Sequence, residues 1–242
     1  WIHGGGLSRG SGSSPWYEGT RLAQRDAVIV TINYRLNAFG FMAHPALSDE
    51  SPHDSSGNYG ILDQIAALEW VRDHIRAFGG DPGRITIFGE SAGSWSVNAL
   101  MATPLARGLF HRAIGQSGGR FGPMRELARE AHGHTPAESF GVKVAHELDA
   151  RDLDDMRAAS VHRVLEAWGE AGGPDSPVVD GWAFPRHVRQ VFESGDQADV
   201  PVIVGYNADE GTTLQPDPPT SEDAYRERIR ALYGDAADRV LK

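Results

Sequence analysis

Short apolar runs alternate with longer stretches in which apolar residues return every third or fourth position. Ala27–Tyr34 reads AVIVTINY, Arg84–Phe88 reads RITIF, Arg112–Gln116 reads RAIGQ and Val200–Tyr206 reads VPVIVGY. Runs of this length, rich in β-branched residues, predict buried parallel strands. Ile61, Ile65, Leu68, Val71, Ile75 and Phe78 recur at three- and four-residue steps and predict one apolar helical face. Gly79-Gly80 ends that helix, and Asp81-Pro82 turns the chain away. A second helix is expected over Ser91–Met101, stopping before Pro104. Residues 124–170 read as helical and charge-rich, with a break around HGHTP, and a last helix follows the loop QPDPPT at Glu222–Tyr233. Strands alternating with helices predict an α/β fold: a mainly parallel sheet with right-handed crossovers and helices on both faces.

In such sheets the chemistry collects at the carboxyl ends of the strands. Two motifs sit there. Gly89-Glu90-Ser91-Ala92-Gly93 follows RITIF and matches G-x-S-x-G. This is the pattern of a sharp strand-to-helix turn that lifts a serine hydroxyl above a sheet. The helix beginning there aims its free N–H groups at developing negative charge. Alone the pattern also fits a plain loop; the strand before it and the apolar helix after it favour a nucleophile. The second motif, NADEG, follows VPVIVGY and holds Asp209 and Glu210, either a solvated pair or an acid that orients a catalytic imidazole.

Composition narrows the field. A chain of 242 residues is long enough for one large domain with a well-buried core. Its net charge of −10 argues against a nucleic-acid partner, which would demand clustered Lys and Arg. No run approaches the 18 apolar residues of a membrane span. With no cysteine, disulfides and thiolate metal sites are excluded. Nothing in the sequence assigns a compartment.

The stretch GNYGILDQIAALEWVRDHIRAFGGDPGRITIFGESAGS, residues 57–94, closely resembles the type-B carboxylesterase/lipase family of α/β-hydrolases. VIVTINYRLNAFGF, LFHRAIGQSG, PVVDGWAFP and VPVIVGYNADEGT resemble it too, in the family's order. The likeness is nearer to bacterial carboxylesterases and para-nitrobenzyl-type esterases than to cholinesterases. It implies an α/β-hydrolase fold and a serine hydrolase acting on a small-molecule ester, without metal or organic cofactor. By resemblance, Ser91 is the nucleophile and Glu210 the acid. The N–H groups of Gly5, Gly6 and Ala92 are then the oxyanion donors, which would explain the glycine run in the opening WIHGGG. The following GLSRGSGSS has the composition of a flexible linker. Glu90 and Ser117 stand as supporting residues near the triad, or as ordinary turn residues.

A serine esterase needs a general base, usually histidine. All ten histidines precede Glu210, whereas the family's base follows the acid. His3 lies on the glycine loop, where the resemblance gives it a local structural role. The sequence is therefore expected to be an internal piece of a longer α/β-hydrolase, incomplete at both ends. Its base would lie beyond Lys242, and the piece alone would be inactive. Two other readings stay open: a non-catalytic binding or adhesion module on the same fold, and an enzyme passing the acyl group to another acceptor or cleaving an amide.

Overall fold

The helix that follows the serine is the centre of the architecture. In the computed structural model, which describes residues 1–211 and 218–241, Ala92–Ala102 is helical and every residue in it except Trp95 is buried. Small residues on several sides (Ala92, Gly93, Ser94, Ser96, Ala99) let neighbouring backbones approach this helix all round, as a central buried helix requires.

The described chain divides into two compact units, Trp1–Gly205 and Tyr206–Lys242. In the first, a parallel sheet has the order β1 (Thr86–Glu90), β2 (Arg112–Gln116), β5 (Val202–Gly205). Thr86 pairs with Arg112, and Ala113 with Val202. A small parallel pair, β3 (Arg125–Glu126) and β4 (Val178–Val179), forms a second sheet. The short helices α1 (Thr20–Ala23), α2 (Asn37–Phe41) and α3 (Pro45–Asp49) precede α4 (Tyr59–His74). The helix after the serine is α5, and α6 (Glu138–Glu147), α7 (Leu153–Ala158), α8 (Val161–Glu170) and α9 (Val188–Glu193) follow it. α5 packs on β1 and β2, and α4 packs on α5. Gln64 of α4 reaches across to donate to the Ser96 hydroxyl of α5 at 3.0 Å. The second unit contains helix Glu222–Tyr233, with the boundaries its sequence predicts.

The predicted helix at Ile61 begins at Tyr59, and Ile61, Ile65, Leu68, Val71 and Ile75 are buried as expected. Phe78 is not: a 3-10 turn over Ile75–Phe78 closes the helix, and the Phe78 ring leans on Trp70 in an exposed pair. Gly79, with φ +82°, donates to Arg76 O, and Gly80 donates to Ile75 O, which is the terminus the sequence announces.

Three expectations need correction. AVIVTINY forms no strand, because among the described residues its main chain bonds only to Trp1: Trp1 N donates to Val30 O and Ile32 N–H donates to Trp1 O. Val200–Tyr206 is a strand at its centre, paired with β2, but Val202, Ile203 and Val204 are exposed rather than buried. Residues 124–137 are not helical. Met124 to Leu127 instead run as extended chain beside β4, where Leu127 N–H donates to Val179 O, and an Ala131–His134 bridge follows. Of the loop QPDPPT, residues 215–217 lie outside the described residues.

PVVDGWAFP proves to be a clamp. Asn58 holds Val178 from both sides, donating to its carbonyl at 3.0 Å and accepting its N–H at 2.9 Å. Asp180 accepts the Trp182 and Phe184 N–H groups and also the Ser55 hydroxyl. Phe184 is thereby fixed in the main core beside Ala183, whose carbonyl takes the Thr103 hydroxyl. Among the described residues no helix is long and apolar enough to cross a membrane.

Candidate active site

Ser91 stands between the carboxyl end of β1 and the first turn of α5, with φ +54° and ψ −120°. A non-glycine residue in that region is strained, and persists only where its surroundings hold it. Here the bonds are backbone ones. Ser91 N–H donates to Gln116 O of β2 at 2.9 Å, and Ser91 O accepts the Trp95 N–H at 3.0 Å.

The two motif glycines are required by contact with the opening segment. Ile2 bridges to Gly89 in parallel, its N–H bonded to Phe88 O at 2.9 Å. A Cβ on Gly93 would fall 2.0 Å from Ile2 O, and one on Gly89 would fall 2.6 Å from the Gly93 carbonyl carbon. The glycine run comes next. A Cβ on Gly4 would lie 2.8 Å from Glu90 O and 3.2 Å from Ser91 Cβ. Gly5 and Gly6 have φ of +114° and +68°, which glycine adopts at no steric cost. Gly5 O accepts the N–H groups of Ser8 and Arg9. The N–H groups of Gly5, Gly6 and Ala92 have no acceptor among the described residues.

The linker-like GLSRGSGSS is packed rather than free. A Cβ on Gly10 would meet His3 Nδ1 at 2.5 Å, and one on Gly12 would meet Ile32 O at 2.4 Å. His3 is buried and stacked on Tyr34 at 4.5 Å between ring centroids, with Nδ1 2.8 Å from Gly4 O. Burial lowers its pKa below the ordinary histidine value, the Gly4 contact opposing. Tyr34 in turn donates its hydroxyl to His3 O at 2.7 Å, and its burial pushes the phenol's pKa up.

The remaining predicted residues divide. Glu90, at the end of β1, sits beside Gly4. Ser117, with φ +51°, leaves the end of β2 and donates its N–H to Gly205 O of β5 at 2.8 Å. Gly4, Glu90, Ser91, Ala92 and Ser117 thus meet at the carboxyl ends of β1 and β2, with Gly5 and Gly6 following Gly4 in the chain. Glu210 belongs to the second unit, where its Oε1 accepts the Asn207 N–H at 2.7 Å. Three residues were missed in the sequence. Ser94 donates to Gly118 O and ties the chain after β2 to α5. Trp95 and Arg120 pair beside it, with the guanidinium carbon 4.8 Å from the indole centroid. Ser94 and Trp95 adjoin the motif, but their partners lie in an irregular loop that no periodicity marks.

A cleft of about 650 Å³ opens elsewhere, bounded by Glu126, Arg129, His132, Asp180, His187 and Gln190. His187 is buried there, with Nδ1 accepting the Met124 N–H at 3.1 Å and Nε2 3.4 Å from Glu126. Burial lowers its pKa, helped by the facing His132 and Arg129 and opposed by Glu126. The fold accepts the neutral ring. Its contribution is therefore complete above the ordinary value of 6.5 and is lost as pH falls through the lowered folded value. The urea midpoint is expected to fall between about pH 7 and about pH 5, and to fall less in His187→Gln, whose amide can make both bonds uncharged.

A parallel sheet, a strained serine at a strand-to-helix turn and a glycine loop locked against it define the α/β-hydrolase fold. Residues 1–236 match the family model described as the carboxylesterase family, and the chain belongs to that family. It is 39% identical to a fumonisin B1 esterase of Sphingopyxis macrogoltabida, over 98% of this chain and 44% of that protein. It is 38% identical to a para-nitrobenzyl esterase of Bacillus subtilis, over 87% of this chain and 43% of that one. The structure of a Geobacillus stearothermophilus carboxylesterase superposes with a TM-score of 0.80 at 39% identity, covering 97% of this chain and 51% of that one. The chain thus spans less than half the length of these two curated relatives.

Proposed function

We propose that the protein containing this chain is a serine carboxylic-ester hydrolase. Ser91 Oγ attacks the carbonyl carbon of a small-molecule ester, and a histidine outside these 242 residues takes its proton. Glu210 orients that histidine and stabilises its cation. The N–H groups of Gly5, Gly6 and Ala92 bind the oxyanion, where loss of one donor costs roughly 10²–10³ in rate. The histidine returns the proton to the departing alcohol, and water then releases the acid from Ser91. On this reading the 242-residue chain alone hydrolyses esters poorly.

The observation that carries the reading is the closeness of the glycine loop to Ser91, with the strained serine fixed by backbone bonds on both sides. Glu90 and Ser117 border that point and are proposed to support the histidine's position. A fluorophosphonate probe applied to the full-length protein tests the assignment. Modification at Ser91, in step with loss of activity on 4-nitrophenyl butyrate, is expected. An active preparation that stays unmodified at Ser91 would refute it.

A further inference from the structure

The chain leaving β2 runs Ser117-Gly118-Gly119-Arg120 over the first turn of α5. A Cβ on Gly118 would fall 2.3 Å from Ser91 O, and Ser94 donates to Gly118 O, so this segment is held directly against the nucleophile's turn. Two residues further on, Arg120 lays its guanidinium over the face of Trp95, one helical turn after Ser91. Trp95 is the one residue of α5 that is not fully buried; it packs in part against the main core and carries Arg120 on its ring. A guanidinium on an indole is fixed by cation–π attraction in a defined plane, with its N–H edge left to bind in that plane.

Among the described residues Arg120 makes no ion pair; Asp175 acts on it only at longer range and already accepts the Trp168 indole N–H at 3.0 Å. Partial burial pushes the guanidinium's pKa below its ordinary value, with Asp175 pulling the other way.

Resting on the esterase reading, we infer that Arg120, seated on Trp95, is a specificity residue that binds a carboxylate carried by the ester substrate. The substrate class is then an anionic ester, such as a half-ester of a dicarboxylic acid or an ester of a carboxylated alcohol. The planar edge of Arg120 would take that carboxylate in a bidentate pair while Ser91 attacks the ester carbonyl.

The test compares three probes on the full-length protein: neutral 4-nitrophenyl butyrate, 4-nitrophenyl hemisuccinate with its charge on the acyl side, and 4-carboxyphenyl butyrate with its charge on the leaving group. In Arg120→Gln the kcat/KM ratio of at least one anionic probe to 4-nitrophenyl butyrate is expected to fall about 10–100-fold, the range of a lost charged hydrogen bond. Arg120→Lys, which keeps the charge but not the planar fork, should recover only part of that ratio. If both ratios change less than twofold in Arg120→Gln while the unsubstituted protein hydrolyses the butyrate, the inference is overturned and the esterase reading stands. If the unsubstituted protein hydrolyses none of the probes and Ser91 resists the fluorophosphonate, the esterase reading falls and takes the inference with it.

Discussion

Ser91→Ala in the full-length protein is expected to lower kcat by about 10⁶, the loss typical of removing the nucleophile from a Ser-His-acid site. Glu210→Gln should cost less, on the order of 10⁴, because the oxyanion donors and the nucleophile remain. The informative experiment is the double variant. In the proposed reaction both residues serve one step, so the second substitution should subtract almost nothing once Ser91 is gone. A double variant more than tenfold slower than Ser91→Ala would separate the two residues and remove Glu210 from the triad. Thermal unfolding of each variant distinguishes loss of chemistry from loss of fold.

The second large effect is structural. Gly93→Ala adds a methyl carbon 2.0 Å from the Ile2 carbonyl oxygen, a contact that no rotamer change relieves because both partners are backbone. Either α5 or the opening segment must move. The expected cost is about 3 kcal/mol or more, in the upper range for a single substitution. Urea unfolding should show it as a lower midpoint. Gly79→Ala is the contrast, since a Cβ there meets nothing within 4 Å and only the positive φ opposes it. A midpoint for Gly93→Ala no lower than for Gly79→Ala would mean that Ile2 and α5 are not in contact in solution.

Much of this site is legible in the sequence because it depends on residues whose steric demands are local. Gly89, Ser91 and Gly93 announce a crowded turn, and the strand and helix beside them are read from their apolar pattern. The turn's backbone angles and its contact with Ile2 follow from that crowding. Helix Glu222–Tyr233 and strand Arg112–Gln116 are equally plain, because each has its own periodicity or cap; Ser221 accepts the Ala224 N–H as an N-cap. Burial is harder to read than strand formation. AVIVTINY and VPVIVGY carry the composition of inner strands, yet whether such a run is covered depends on neighbours that its own residues do not specify. The stretch 124–137 departs from its sequence pattern for another reason: its charges suggest a solvated helix, while Arg125–Glu126 pairs with β4 more than fifty residues later. The pairing of Arg120 with Trp95 is likewise invisible before folding, since neither residue lies in a motif with the other.

The bridge between Ile2 and Gly89 has a consequence for how this scaffold can change. The Ser91 turn and the segment opening the glycine loop are joined main chain to main chain, so their spacing is as stiff as a sheet ladder and indifferent to most side-chain replacements. Around that rigid pair, Trp95 of α5 and Arg120 of the irregular chain after β2 meet through their side chains. On the proposed reading, new substrate preferences arise by exchanging such side chains, while the main-chain geometry at Ser91 is inherited unaltered.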